Sequence, residues 1–143
     1  MLISTLLANK GAVVATIRGD ATVAEAVDEL NRHHVGALVV SSDGRKIDGI
    51  ISERDVVRQL SEHREAILAE PVSSIMSATV TTCAPEDDTE SLMRTMTERR
   101  IRHVPVVDDG QLSGIVSIGD VVKNRIEELE KNRTELIEYI TAR

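Results

Sequence analysis

The sequence predicts an α+β fold that consists of two similar halves, each with the element order β-α-β-β-α, followed by a long C-terminal helix. Two repeats along the chain predict it. Residues 49–57 (GIISERDVV) recur as residues 114–122 (GIVSIGDVV), and residues 14–17 (VATI) recur as residues 80–83 (VTTC). An internal repeat of this length indicates two copies of one supersecondary unit, which we expect to pack with pseudo-two-fold symmetry.

In the first half, the β-branched run at residues 13–17 predicts a strand. Thr22 is followed three residues later by a glutamate, which is capping-box spacing and predicts that a helix begins after Thr22. Two strands are predicted at residues 37–40 and 46–51, joined by a turn with the sequence Ser-Asp-Gly. A second helix is predicted to begin at Ser52.

The second half repeats each step. Residues 80–83 are predicted as its first strand, and Asp88 takes the position of the helix cap. Residues 104–107 and 112–116 are predicted as the paired strands. The last helix is predicted over residues 117–140, and is longer than its counterpart in the first half.

The two repeats divide the chain into four parts: a lead-in at residues 1–12, a first repeat at 13–69, a second repeat at 70–125 and a helical extension at 126–143. A weaker sequence similarity between residues 3–7 and 72–76 predicts a short helical lead-in before each repeat. Apolar residues on the last helix follow a 4-3 alternation that Arg133 interrupts. Two interpretations are open: this helix covers the core and a dimer partner, or it packs only on its own domain.

Composition excludes several classes of protein. The net charge of −7 in 143 residues argues against a nucleic-acid binder, which needs a basic surface, and against attraction to an anionic membrane. A single cysteine forms no internal disulfide, and no apolar run has the length of a membrane span. We therefore expect a cytoplasmic protein, with an organellar matrix as the other possibility. Tyr139 is the only aromatic residue, so a flat ligand would lie between aliphatic side chains.

The repeated segment supplies a hydroxyl and a carboxylate at each strand-to-helix junction, Ser52 with Asp55 and Ser117 with Asp120. One interpretation is structural, because Ser-x-x-Asp at this position is close to a capping box. The other is functional. A carboxylate accepts hydrogen bonds from a ribose diol, and a helix N-terminus suits a phosphate. Gly119, a poor helix former that lets a ligand approach the backbone, favours the functional interpretation.

Together these features resemble the tandem form of the cystathionine-β-synthase (CBS) domain family, also called the Bateman module. The motif Gly-h-h-Ser-x-x-Asp-h-h, where h is apolar, occurs in both halves, with RHVPVVD at residues 102–108 and SSIM at residues 73–76. Within that family the chain is similar to small stand-alone pairs of bacteria and plant organelles. The resemblance implies regulatory binding of AMP, ADP, ATP, NAD(H) or S-adenosylmethionine, without catalysis.

The resemblance also implies two clefts, each shared between the halves. The first cleft is expected to combine Ser117 and Asp120 with Val14, Thr16 and Ile17. The second is expected to combine Ser52 and Asp55 with Val80, Thr82 and Cys83, and to include Gly36, Ala37 and Arg54.

The halves differ just before their paired strands, where Arg102 and His103 correspond to Gly36 and Ala37. A guanidinium forms strong charge-assisted bonds to phosphate. We therefore expect Arg102 and His103 to belong to the Ser117/Asp120 cleft and to bind phosphate more tightly there.

Other candidate sites are weaker. His33 and His34 are adjacent, and the absence of a completing cluster favours helix-end histidines over metal ligands. Cys83 is either a redox-sensitive thiol beside a ligand base or a small buried hydrophobic residue. The sequence shows no pair of nucleophile and base, so we expect neither an enzyme nor a metal site.

Three functions remain open. The first is a homodimeric sensor that binds adenine nucleotides and signals to an unidentified protein partner. The second is an interaction protein with vestigial clefts, which works through its last helix or its dimer face. The third is a redox-linked regulator that binds NADH or a thioredoxin-type partner.

Overall fold

The computed structural model of the chain describes residues 1–142, and within them the predicted α+β architecture is present. The first half comprises α1 (Ile3–Lys10), β1 (Thr16–Ile17), α2 (Val23–His33), β2 (Ala37–Val40), β3 (Gly49–Ser52) and α3 (Glu53–His63). Two 3₁₀ helices follow, at Arg64–Ala69 and Val72–Ser74. The second half comprises α4 (Thr89–Arg99), β4 (His103–Asp108), β5 (Gln111–Ser117) and α5 (Ile118–Thr141).

The helices begin where the sequence predicts them to begin. The Thr22 hydroxyl accepts a hydrogen bond from the Glu25 amide at the start of α2. The Asp88 carboxylate accepts bonds from the amides of Glu90 and Ser91 at the start of α4. These side chains satisfy backbone N–H groups that have no partner within the helix.

The first sheet has the order β1-β2-β3, with β1 parallel and β3 antiparallel to β2. Strand β2 is as predicted, and all four of its residues are buried. Strand β3 begins at Gly49 rather than at residue 46, because the Asp43 carboxylate accepts the amides of Arg45 and Lys46 and closes a local turn. Strand β1 is shorter than predicted; Val13 is 95% exposed and buries no apolar surface that would support a longer strand.

The second sheet consists of β4 and β5 alone. The strand predicted at residues 80–83 is reduced to an isolated bridge, in which Cys83 pairs with Val106. In a parallel ladder the next bond would run from the amide of residue 105 to the carbonyl of residue 81, and Pro105 has no N–H. In the first half Val39 does donate the equivalent bond, to the carbonyl of Ala15. One proline therefore accounts for the missing strand.

Each lead-in packs on the opposite half of the chain. The Ile3 amide donates to the Asp87 carbonyl in the second half, and the Val72 amide donates to the Ala21 carbonyl in the first. Helix α1 completes the core of the second half through Ile3, Leu6 and Leu7. Val72 in turn belongs to the core of the first half, with residues 75 and 76 packed against it. Each core is completed by the other half, so neither half buries its apolar residues alone.

Helix α5 leaves the body of the protein about two turns after it begins. Val121 and Asn124 are its buried residues, and residues 129–142 are all exposed. Only the first turns of this helix therefore pack on its own domain, and coverage of the remainder by a dimer partner stays a prediction. None of the helices in residues 1–142 has the length and hydropathy that a membrane crossing requires.

Candidate functional site

At both candidate clefts, the serine and the aspartate of the repeated motif cap a helix. The Ser52 hydroxyl accepts a hydrogen bond from the Asp55 amide at 3.3 Å, and the Asp55 carboxylate accepts one from the Ser52 amide at 2.9 Å. Ser117 and Asp120 form the same two bonds at 3.1 and 2.9 Å. Both are complete capping boxes. The structural interpretation of these pairs is confirmed, and any ligand would bind to groups that already cap a helix.

The two carboxylates form ion pairs with different cations. Arg58, on the same helix, donates to Asp55 Oδ1 at 2.8 Å. Asp120 instead receives the Lys10 ammonium from helix α1, with 2.7 Å between Nζ and Oδ2. Burial alone would raise the pKa of Asp120, but the hydrogen bonds from Lys10 and the Ser117 amide outweigh it, and the pKa lies below its ordinary value. Asp120 is thus ionised and paired at neutral pH.

A cavity of about 340 Å³ lies beside Ser52 and Asp55. Residues from both halves line it: Gly36, Ala37, Ile50, Ser52, Glu53, Arg54, Asp55, Arg58, Ser77, Arg100, Ile101, Arg102 and His103. Its charged lining comprises four arginines and two acidic residues. A cavity with this excess of guanidinium groups, in a chain of net charge −7, is suited to an anion.

Gly36 allows His103 to reach this cavity. A β-carbon at position 36 would lie 3.0 Å from the imidazole of His103 and 2.9 Å from the Glu53 carboxylate. Burial is the main reason that the pKa of His103 lies below its ordinary value. The carboxylates of Glu53 and Asp120 oppose this shift, whereas the charges of Arg102 and Lys10 add to it. The imidazole is therefore neutral at pH 7, and can donate or accept a hydrogen bond.

The structure places two of the predicted residues at both junctions. Arg102 and His103 line the cavity of Ser52 and Asp55, and the Arg102 carbonyl accepts the Ile118 amide at the start of α5, beside the Ser117/Asp120 junction where we expect them. His103 also lies opposite Ser117 in the β4–β5 register, so it stands between the two junctions. The reason is the pseudo-symmetry, which places the strand beginnings of the two halves face to face.

None of the residues expected to contact a base lines this cavity. Val80, Thr82 and Cys83 are not among the residues that line the described cavity, although Ser77, slightly earlier on the same segment, is. Thr16 and Ile17 form β1, and Ile17 is buried in the first core. Val14 is partly buried just before that strand.

Cys83 is a buried core residue. Its thiol lies 3.8 Å from the Pro105 carbonyl, and the side chain belongs to the second core. Burial, with a smaller contribution from the Asp87 carboxylate, raises the pKa of the thiol to about 12. A thiol that stays protonated at neutral pH is a poor nucleophile and a poor redox sensor, so the hydrophobic interpretation of Cys83 is the better one.

The adjacent histidines have local roles. The His33 imidazole lies 3.0 Å from the Glu29 carboxylate, one helical turn earlier. His34 takes the left-handed backbone conformation at the end of α2. Among residues 1–142, no three His, Cys, Asp or Glu side chains come together as a metal site would require.

Sequence reasoning missed Lys10, Arg58, Arg100 and Ser77. Arg58 follows Asp55 by three residues, a spacing that predicts an ion pair on a helix. No local sequence pattern predicts the contact of Lys10 with Asp120, because 110 residues separate them. Arg100 ends α4 with a positive φ of 55°, and its place at the cavity depends on how the halves dock.

Comparison with known proteins identifies the architecture. A model of the CBS domain family matches residues 11–62 and 72–127. The chain is 38% identical over 125 residues to the mitochondrial CBS domain-containing protein CBSX3 of Arabidopsis thaliana, covering 85% of this chain and 61% of that protein. The chain thus spans about six-tenths of that relative's length.

Two solved structures are also similar. The CBS-domain containing protein ATU1752 from Agrobacterium tumefaciens has a TM-score of 0.84 and 42% identity, over 87% of this chain and 99% of that one. The CBS domain protein PAE2072 from Pyrobaculum aerophilum, solved in complex with AMP, has a TM-score of 0.75 and 28% identity, over 84% and 89% of the two chains.

Proposed function

This chain belongs to the CBS domain family as a tandem pair of repeats, and from that premise we propose that it is a non-catalytic regulatory module that binds an adenine nucleotide beside Ser52 and Asp55. The observation that carries the proposal is the cationic cavity at that junction, to which both halves contribute. Ligand binding there would depend on the relative position of the halves, because both supply residues that line the cavity. A protein partner would respond by binding one arrangement of the halves better than the other.

The phosphate groups are assigned to the arginine-rich wall. Arg100 and Arg102 come from the second half, and Arg54 and Arg58 from the first. Four guanidinium groups around one cavity provide donors for several phosphate oxygens, through charge-assisted hydrogen bonds. This wall favours AMP, ADP, ATP or the diphosphate of NAD(H). It disfavours S-adenosylmethionine, whose sulfonium is cationic.

The ribose is assigned to Asp55 and the base to the aliphatic side chains of the cavity lining. Asp55 would accept the ribose hydroxyls, and Arg58 would leave Oδ1 for a phosphate. The side chain of Arg58 is 62% exposed, so this movement costs little packing. The adenine would lie between the aliphatic side chains of Ala37, Ile50 and Ile101, because no Phe, Tyr or Trp is among the lining residues.

Calorimetric titration with AMP, ATP, NADH and S-adenosylmethionine tests this proposal, on protein shown to carry no nucleotide from purification. We expect AMP or ATP to bind, and Asp55→Asn to weaken both. Arg102→Ala should weaken AMP about tenfold, the value of one hydrogen bond to a charged group, and change adenosine much less. Arg133→Ala, on the exposed part of α5, is the matched control. Equal loss of AMP and adenosine in Arg102→Ala would contradict the phosphate role, and absence of heat with every ligand would contradict the proposal.

We also propose that the module works as a homodimer. Val57 on α3 and Val122 on α5 occupy equivalent positions in the repeat, and they are 66% and 43% exposed. Exposed apolar positions that recur in both halves are suited to an interface between two copies of the chain. Sedimentation of wild type and the Val57→Lys/Val122→Lys variant tests this: the variant should be monomeric at concentrations where the wild type is a dimer. A wild-type monomer would contradict it.

A second candidate function rests on the end of α5. Residues 129–142 are exposed, and apolar side chains among them include Leu136, Ile137 and Ile140. Such a surface is suited to a protein partner, as in the alternative of an interaction module with vestigial clefts. The titration above separates the two candidates, because only a nucleotide sensor needs Asp55. A redox-linked function is less well supported, since Cys83 is buried and protonated.

A further inference from the structure

Helix α1 is held along the first turns of α5 by an ion pair at each end. The N-terminal ammonium of Met1 lies 3.6 Å from the Glu128 carboxylate, and the Lys10 ammonium lies 2.7 Å from the Asp120 carboxylate. The residue before α1 contacts the later position on α5, and the last residue of α1 contacts the earlier one. The two helices are therefore antiparallel here. Between the two pairs, the buried Asn124 amide nitrogen has no hydrogen-bond partner among the residues that the structure describes.

Lys10 occupies the polar groups of the second junction. Its ammonium donates to the Ile115 carbonyl at 2.6 Å as well as to Asp120 Oδ2. Asp120 Oδ2 also accepts the Ser117 amide. The side chains of Lys10 and Asp120 are only 29% and 26% exposed. The ion pair is therefore partly shielded from water, where a charge-assisted bond is stronger than at the surface.

At the first junction the cation comes from the same helix and not from a lead-in: it is Arg58, whose side chain is 62% exposed, against 29% for Lys10. Leu7 lies over Gly114 as Met76 lies over Gly49, and three residues further along the sequence the first lead-in has Lys10 and the second has Thr79. A threonine carries no charge. The Ile50 backbone, which corresponds to Ile115, is paired with the Ser77 backbone instead.

We propose that Lys10 acts as a built-in blocker of the Ser117/Asp120 junction, so that each chain binds one nucleotide, at Ser52 and Asp55. This inference rests on the proposed function. A ribose diol is neutral, and to reach Asp120 it would have to displace an ammonium from a shielded carboxylate. Release of α1 from α5 is then the step that would open a second site.

Counting the AMP molecules bound per chain, by native mass spectrometry and by calorimetry, tests this inference. We expect one AMP in the wild type, lost in Asp55→Asn and kept in Asp120→Asn. Lys10→Met should bind a second AMP, and Lys10→Gln should do the same if the methionine variant folds poorly. Lys10→Arg retains the cation and should still bind one. Lys131→Met, a lysine on the exposed part of α5, is the matched control. The second AMP should be absent from the Lys10→Met/Asp120→Asn double variant.

The outcomes separate the two proposals. Two AMP molecules in the wild type, or one in both the wild type and the Lys10 variants, would each overturn the blocker and leave the proposed function standing. A single AMP in the wild type that depends on Asp120 and not on Asp55 would overturn both the blocker and the Ser52/Asp55 site. Weaker binding in Lys10→Met would also overturn the blocker, and would assign Lys10 to the phosphate. If the wild type binds none while Lys10→Met binds one through Asp120, the blocker is supported and the Ser52/Asp55 site is refuted. Absence of binding in every protein would overturn both.

Discussion

Leu7 lies directly over Gly114 on the opposite half of the chain, where a β-carbon would come within 2.8 Å of its terminal methyl carbon. Met76 lies over Gly49 in the same way, since a β-carbon at position 49 would lie 2.6 Å from the methionine sulfur. Each lead-in therefore crosses a strand of the other half at a glycine, which has no side chain to obstruct the contact. These two crossings hold the halves together and set the spacing of the junctions that follow both strands.

Alanine at these glycines should destabilise the protein unequally. At Gly49 the added β-carbon would also meet the Ser77 carbonyl at 2.8 Å, and that backbone is held by its bridge to Ile50. At Gly114 it would meet only the end of a leucine side chain, which can turn. We expect Gly49→Ala to lower the free energy of unfolding by about 1–3 kcal/mol, the usual cost of overpacking, and Gly114→Ala to lower it less. Urea unfolding measures both.

Gly119→Ala is the matched control for these two substitutions. A β-carbon at position 119 would lie 3.6 Å from the Ser117 hydroxyl, which is ordinary contact. Because alanine is the better helix former, this variant should be unchanged or up to about 1 kcal/mol more stable. An equal loss of stability in all three variants would contradict the crossing contacts as the cause.

The serine caps should contribute measurably to stability. Ser117→Ala removes the hydroxyl that accepts the Asp120 amide, and Ser52→Ala removes the one that accepts the Asp55 amide. Each should cost about 1 kcal/mol, the typical value for an N-cap. Ser61→Ala, on the exposed surface of α3, is the control and should be neutral. Thermal unfolding monitored by circular dichroism checks these values, and no loss at Ser52 and Ser117 would refute the capping role.

Acid should destabilise the protein through His103. Its pKa in the folded state lies below 6.5, chiefly because the ring is buried. The unfolded chain therefore binds a proton more readily than the folded one, and stability that is complete above pH 6.5 falls as the pH drops through the folded-state value. We expect the urea midpoint of wild type to fall between pH 7.5 and 5.5, and that of His103→Gln to fall less. His63→Gln, at the exposed end of α3, should behave as wild type. Parallel pH curves for wild type and His103→Gln would refute this source of acid sensitivity.

The Cys83 thiol should resist modification in the native protein. Burial and the Asp87 carboxylate raise its pKa to about 12, so very little thiolate is present at pH 7.5. Ellman's reagent should label the native protein very slowly and the urea-unfolded protein at the ordinary rate. Rapid labelling without denaturant would show that the thiol is accessible and would revive a redox role.

Pro105→Val should restore a missing backbone bond. The new amide at position 105 would face the carbonyl of residue 81, as the amide of Val39 faces the carbonyl of Ala15 in the first half. We expect the amide of residue 105 to be protected from hydrogen exchange, to a degree similar to that of Val39. Rapid exchange at that amide would mean that another constraint prevents residues 80–83 from forming a strand.

The sequence predicted the local structure well. Caps at Thr22, Ser52, Asp88 and Ser117 are all present, because a cap is formed by groups within about three residues of one another. Strand β2 was predicted because its short apolar run matches a buried strand. The strand at residues 80–83 was predicted wrongly, because its pairing depends on a proline that lies 22 residues further along the chain.

The candidate site was less predictable. The repeat identified the serine and aspartate of both junctions, since the same motif occurs twice. It did not identify the residues that line the cavity, in which Arg102 of the second half joins Asp55 of the first. The ion pair between Lys10 and Asp120 was equally inaccessible to sequence reasoning, because no local pattern connects the two residues.

The sequence by itself determined the two repeats, their elements and their helix caps, because periodicity and capping act over a few residues. Only the tertiary structure decided which residues share a cavity and which carboxylate pairs with Lys10. The physical reason is the crossing of the lead-ins: α1 completes the core of the second half, and this burial of Ile3, Leu6 and Leu7 brings Lys10 to Asp120. The second lead-in crosses in the same way but carries Thr79 at the equivalent position. The two repeats are thus alike in sequence and differ in the state of their junctions.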